Sequence, residues 1–321
     1  MSVPLLLAAH AVVAVTVLAP LLARAAWVER APRLALVLWQ VLTASAVTAV
    51  VLAGLAVAVP VIPLTTDVAE LLRMCLMMLR DAYATPGGAL ASTTGLVIAV
   101  VVAGRCAYGM GAEWARARRE RRHHLRILAM VGTGDERLGA TILDHGATAA
   151  YCLPGKGGHV VLTSAALAAL DEAGLQAVLS HERAHLRGRH HLLVALTRGI
   201  ERAFPFVGAF ASARSQTAAL VELAADDAAA SATDRLTVAG ALLALARGGS
   251  PVRSPAPTAV LAAAGSADGR RVRRLIDGRA GLEPRWLVLG SAAAVVVAVL
   301  PVAVAVVPMM AMAVTDCCLV L

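Results

Sequence analysis

His181 and His185 stand four positions apart in the string His181-Glu182-Arg183-Ala184-His185. Positions i and i+4 of a helix share one face, so two imidazoles at this spacing can aim ring nitrogens at a single ion. Glu182 lies beside that pair and can reach a water at the ion. Downstream, Glu222-Leu223-Ala224-Ala225-Asp226 has the form ExxAD. A catalytic zinc takes three protein ligands and keeps one position open. Glu222 is the candidate third ligand. The set predicts one zinc ion and hydrolysis of a peptide bond, with Glu182 as the base that moves the proton. Asp226 follows Glu222 by one turn on the same face and is expected to receive the second ring nitrogen of a ligating histidine. Asp227 should point elsewhere, into solvent.

A second assignment of the third ligand competes. His181 to His191 also fits HExxHxxGxxH, with Gly188 and His191 in place. That is the metzincin pattern, in which glycine breaks the helix and the third histidine swings in. It requires a methionine turn below the metal, and no methionine occurs between Met130 and Met309. The run Leu192-Leu193-Val194-Ala195-Leu196 reads as continuing helix. His190 and His191 are therefore expected on the surface or in a groove, and Glu222 is preferred over His191. Neither assignment singles out a substrate-binding or oxyanion-stabilising residue.

These side chains need helices to position them. Asp171 is the expected N-cap of the helix that carries the histidines, which runs from Glu172 to about Phe204 as one helix or two. Gln216–Ala230 should carry Glu222, and Arg235–Arg247 should form a further helix. Ahead of them, Ala140–Asp144, Thr148–Leu153 and His159–Thr163 read as strands of a small sheet containing a hairpin, and Pro154–Gly158 is a turn. Ser164–Leu170 reads as a short helix. Either Thr148–Cys152 or His159–Thr163 could serve as an edge that takes a substrate peptide as an added strand. Gly248–Pro257 reads as a linker. Ser180 is expected to pack, and His123, His124 and His145 to lie on the surface.

Around this domain the chain is strongly apolar: 59% of its 321 residues are hydrophobic, and mean hydropathy is +0.74. Apolar blocks long enough to span a bilayer fall at about Val3–Leu22, Leu34–Leu64, Gly88–Gly104 and Trp286–Val314. The expected division is residues 1–112 with three transmembrane helices (about 3–24, 34–64 and 88–110) and a short outer loop. A cytoplasmic peptidase domain at 113–284 and a fourth helix with a short outer tail at 285–321 follow. The first block lacks a basic leader region and is read as a retained span. His10 within it should face another helix. Arg24, Arg30 and Arg33, then Arg116–Arg126, then Arg270–Arg285 all fall on one side of four spans, and that side is expected to be cytoplasmic. Trp27, Trp39, Trp114 and Trp286 sit near the same ends, where interfacial tryptophan anchors helices. The net charge of +8 thus marks topology and attraction to the lipid bilayer; no direct nucleic acid binding is expected. The five cysteines have neither metal-site nor disulfide spacing.

The strings Ala149–Gly155, Val160–Ala166, His181–His191 and Glu222–Asp227 resemble the BlaR/MecR-type membrane zinc metallopeptidases, and more distantly the HtpX and CaaX prenyl protease group. The resemblance implies His181, His185 and Glu222 as zinc ligands and Glu182 as base. The expected fold class is mainly α: four transmembrane helices plus a cytoplasmic, gluzincin-like α+β peptidase domain with a small sheet. Beta-lactam-sensing members carry an extracellular penicillin-binding domain after the last span. This chain ends soon after it, so the short form without that sensor is expected. The implied role is regulated proteolysis in a bacterial cell membrane, with a BlaI-type winged-helix repressor as protein substrate. Two alternatives use the same residues differently: a housekeeping, HtpX-like quality-control protease, and a catalytically inert membrane signalling module. An intact Glu182 argues against the last.

Overall fold

A computed structural model describes residues 2–58, 77, 80, 84–155, 158–248, 264–278 and 281–319. Most of the expected short outer loop (Thr65–Gly87, between the second and third spans), the Gly248–Pro257 linker beyond its first residue, and Pro60 and Pro63 near the end of the second apolar block lie outside them.

Among the described residues, four helices are long and apolar enough to cross a bilayer. The first is α1 (Ser2–Val13), a π-helical turn at Ala14–Leu18, and α2 (Ala19–Arg24). A 3-10 turn at Ala26–Glu29 leads to α3 (Pro32–Ala58). The third span is the start of α4 (Pro86–Val131), capped by the Thr85 hydroxyl. The last lies in α11 (Pro284–Leu319). His10 Nε2 meets Ser45 Oγ of α3 at 2.6 Å, so the polar group in the first span faces a neighbouring helix.

The helix that holds the expected third span (about 88–110) does not end with it. α4 has 46 residues and, at 1.5 Å per residue, a length of about 70 Å, more than twice a bilayer core of about 30 Å. Past the apolar stretch its sequence is arginine- and glutamate-rich, and pairs such as Arg116 Nε to Glu120 Oε1 (2.8 Å) support the helix in water. The helix thus becomes the stalk of the peptidase domain.

That domain continues with β1 (Gly132–Asp135), β2 (Ala140–Leu143), β3 (Ala150–Leu153) and β4 (His159–Thr163). The sheet order is β1-β2-β4-β3, with β2 and β4 parallel and the other pairs antiparallel. β4 is therefore interior and cannot accept an added strand; β3 has the free edge. β1 carries two glycines in Gly-Thr-Gly-Asp, which hides it from a propensity reading. Its pairing with β2 makes it a strand.

The remaining helices are α5 (Ser164–Ala169), α6 (Glu172–Arg187), α7 (His190–Ala203), α8 (Gly208–Ala232), α9 (Arg235–Gly248) and α10 (Ala264–Asp277). One core joins the sheet to α6, α8 and α9 through Val160, Leu162, Val178, Leu179, Ala229 and Val238. A second joins α3 to α8: Leu36, Trp39, Leu42 and Ala46 pack on Ala213, Leu220, Val221 and Ala224. Trp39 is fully buried there, so it packs helices together and is not the interfacial anchor expected from its position. α7 crosses α4 at two glycines. A Cβ on Gly109 would lie 2.3 Å from the Gly199 carbonyl oxygen, and only a missing side chain allows so close a crossing. Arg274 Nε donates to the Glu29 carbonyl oxygen at 2.8 Å, so the turn between the first two spans touches α10.

Candidate metal centre

Asp171 caps α6, its side chain accepting from the Gly174 N–H at 2.8 Å. The helix then carries His181, Glu182 and His185 on two buried turns. It ends at Gly188, and Arg189 takes a left-handed conformation (φ 48°), so Glu172–Phe204 is two helices and not one. The break has a packing consequence: a Cβ on Gly188 would lie 2.4 Å from His190 Nε2. Glycine lets His190 fold back over the end of α6.

α8 runs past α6 and brings Glu222 to the histidines. His181 Nε2 lies 3.1 Å from His185 Nε2 and 3.4 Å from Glu222 Oε2. His185 Nε2 lies 3.5 Å from Glu222 Oε1. Ligand atoms about 2.0–2.1 Å from a tetrahedral zinc are separated by about 3.3 Å, so these three donors fit that ion. The three residues form a metal-capable group, with one donor atom of each lying within 4.8 Å of the others. His191 is exposed and outside this group.

The surroundings suit a cation. Burial alone would lower the His181 pKa, but Asp226, Glu222 and Glu182 outweigh it and push it up to about 10. Burial raises the Glu222 carboxyl, yet His181 and His185 hold it well below the usual range. Asp226 is fully buried, and despite burial Arg271 and His181 keep it low. Its Oδ1 is 3.0 Å from His181 Nδ1, but that nitrogen has no well-aligned hydrogen-bond partner; the contact is close and off-angle.

Glu182 is buried and, at about 100° per residue, lies to one side of the histidine face. Across from it is Cys152 of β3. Burial chiefly raises this thiol's pKa, followed by the charge of Glu182 and a hydrogen bond to it. The free edge of β3 therefore runs beside the prospective base.

Three features depart from the sequence reading. His190, expected at the surface or in a groove, is 8% exposed, and its Nδ1 is 2.9 Å from His185 Nδ1. Burial, then the neighbouring His185, lowers its pKa to about 4, so it stays neutral. If His185 Nδ1–H donates to His190, the bare Nε2 of His185 is left on the Glu222 side, which is the tautomer a metal needs. Asp227, expected in solvent, is held by Arg274 at 2.7 and 2.9 Å. And Arg271 of α10 grips Asp226 with two hydrogen bonds, Nε to Oδ2 at 2.8 Å and a terminal nitrogen to Oδ1 at 2.7 Å, while another terminal nitrogen is 3.3 Å from Glu222 Oε2. On the sequence alone the arginine run reads as a topology signal. The signal that could have found this was spacing: Arg271 and Arg274 share a helix face one turn apart, facing consecutive aspartates.

Residues 115–249 match the family model described as Peptidase family M48. No curated protein and no solved structure matches the chain. The matched segment holds all three metal-capable residues and Glu182, and it stops short of Arg271 and Arg274. Residues 115–249 are thus similar to the peptidases of family M48, and the chain embeds them among four helices long and apolar enough to cross a membrane, which supports a membrane metallopeptidase.

Proposed function

We propose that the protein is a zinc endopeptidase whose catalytic domain stands on the cytoplasmic side of a bacterial membrane and cuts a cytoplasmic protein, with a winged-helix repressor of the BlaI type as the substrate class. The observation that carries the chemistry is the near-tetrahedral spacing of His181, His185 and Glu222 with Glu182 alongside. When bound, zinc supplies Lewis acidity toward a peptide carbonyl and acidifies water. Glu182 accepts the proton of the attacking water and returns it to the leaving amide nitrogen. Asp226, through Arg271, fixes the helix face that carries Glu222. The β3 edge, with its unpaired backbone, aligns an extended peptide past Glu182. The cytoplasmic placement rests on the arginines at Arg24–Arg33, Arg116–Arg126 and Arg270–Arg285. The repressor rests on the sequence resemblance.

The test uses the purified full chain and its Glu182→Gln variant. The variant should keep one zinc per chain while cleavage of an unfolded protein substrate falls by about 10²–10⁴. Loss of zinc, or undiminished turnover, refutes the role of Glu182. A winged-helix repressor encoded beside this gene should be cut in cells making the wild type and left whole in cells making Glu182→Gln. A repressor that stays whole in both removes that substrate class.

A further inference from the structure

A cavity of about 480 Å³ lies between α3 and the peptidase helices α6, α7 and α8, within the range of about 300–1,000 Å³ typical of small-molecule sites. It is not the cleft in which Glu182 works. On α6 its lining residues are Ala184, Arg187 and Gly188, which at about 100° per residue sit on the flank of the helix opposite Glu182. On α8 they are Ala224 and Ala228, on the face turned from Glu222 and Asp226. The α3 wall follows a single helical face that begins at Arg33 and continues through Val37 and Val41.

The chemistry of the wall is amphiphilic. Val37, Val41 and Leu193 make it apolar, and Arg33 and Arg187 add two cations. Both arginines are exposed, and neither has a carboxylate partner among the described residues. Gln40 also lines the cavity, and its buried Oε1 has no hydrogen-bond partner. Arg33 stands in the first turn of α3, a helix of membrane-spanning length and composition. The charged end of the cavity is therefore at the end of a span, where phosphate headgroups meet protein, and the apolar part follows the span inward.

We propose that this cavity binds one anionic phospholipid, its phosphate held by Arg33 and Arg187 and an acyl chain laid along Val37, Val41 and Leu193. Guanidinium groups pair with phosphate through charge-assisted, bidentate hydrogen bonds, and an apolar chain replaces water against the alanines of α8. His190 forms part of the wall and touches His185, so the occupied cavity lies directly behind a metal-site histidine. The inference does not depend on the proteolytic reading, because its readout is lipid binding.

The full chain is reconstituted in nanodiscs with phosphatidylglycerol carrying a photoactivatable acyl chain, or with the matching phosphatidylcholine. Labelled residues are then mapped by mass spectrometry. Phosphatidylglycerol should label the Val37, Val41 and Leu193 wall at least tenfold more than phosphatidylcholine does. The Arg33→Ala/Arg187→Ala double variant should lose that preference, whereas Arg122→Ala/Arg126→Ala, exposed on the α4 stalk, should keep it. Ala228→Trp, which fills the cavity and leaves both arginines, should lose the labelling as well. If the Trp variant fails to fold, the arginine pair decides alone. Equal labelling by the two lipids, or labelling unchanged in the arginine double variant, overturns the proposal. So does displacement of the lipid by millimolar inorganic phosphate, which would make this a free-anion site, or by an apolar peptide, which would make it a peptide site.

Discussion

Asp226→Asn is the most informative single change. The side chain keeps its size and loses its charge at a fully buried position. Two consequences follow through different partners. Arg271 loses the carboxylate that accepts two of its hydrogen bonds, and breaking a buried pair from one side costs about 3–5 kcal/mol. For a domain of this size each kcal/mol moves Tm by about 2–4 °C, so the zinc-free protein should melt on the order of 10 °C lower. Separately, His181 Nδ1 loses the anion 3.0 Å away, and removal of such a partner weakens metal binding by about 10–100-fold. The two effects separate in an Arg271→Met background. There Asp226→Asn removes a charge whose arginine partner is already gone and which keeps only the off-angle contact with His181, so its cost in Tm should shrink. The zinc deficit should persist. The assays are thermal unfolding of zinc-depleted protein in detergent and competitive zinc titration of the four proteins in the cycle. An equal loss of Tm in both backgrounds would refute the buried Asp226–Arg271 pair. Unchanged zinc affinity in Asp226→Asn would refute its action on His181.

Glu222→Ala should empty the metal site, whereas His191→Ala should leave one zinc per chain; normal zinc in the first with loss in the second would restore the third-histidine assignment, and metal analysis of purified protein decides. Zinc must displace the proton that the surrounding carboxylates stabilise on His181 below its pKa of about 10. Apparent zinc affinity should therefore rise with pH, by about tenfold per unit from this group between pH 6 and 9, and a flat profile by competitive chelation would contradict that charge balance. Gly109→Val should separate α4 from α7, because its Cβ would lie 2.3 Å from the Gly199 carbonyl oxygen. Limited proteolysis should then cut near Phe204–Gly208 faster than in wild type, and unchanged protection would show that the crossing is not tight.

Much of this protein is legible in one dimension because its signals are local. His181 and His185 share a face by helical spacing alone, Asp171 caps its helix through a bond to a residue three positions on, and membrane length is a run of apolar side chains. Relations between distant segments come from packing alone. His190 looked like a surface residue because its burial depends on a left-handed Arg189 and a glycine that leaves room for the ring. Trp39 looked like an interfacial anchor because nothing local records that α8 packs on it. Strand order hides in the same way: only pairing shows that β4 is interior and that β3 offers the edge. Arg271 and Arg274 read as topology charges, since a charge run carries no mark of its partner. Forty-five residues separate Arg271 from Asp226, and only the fold closes that distance. The candidate ligands and base can be read along the chain, because ligand type and helical spacing are properties of neighbours. Which charges hold that site in place, and which cavity opens behind it, depends on contacts between segments that the chain order leaves far apart.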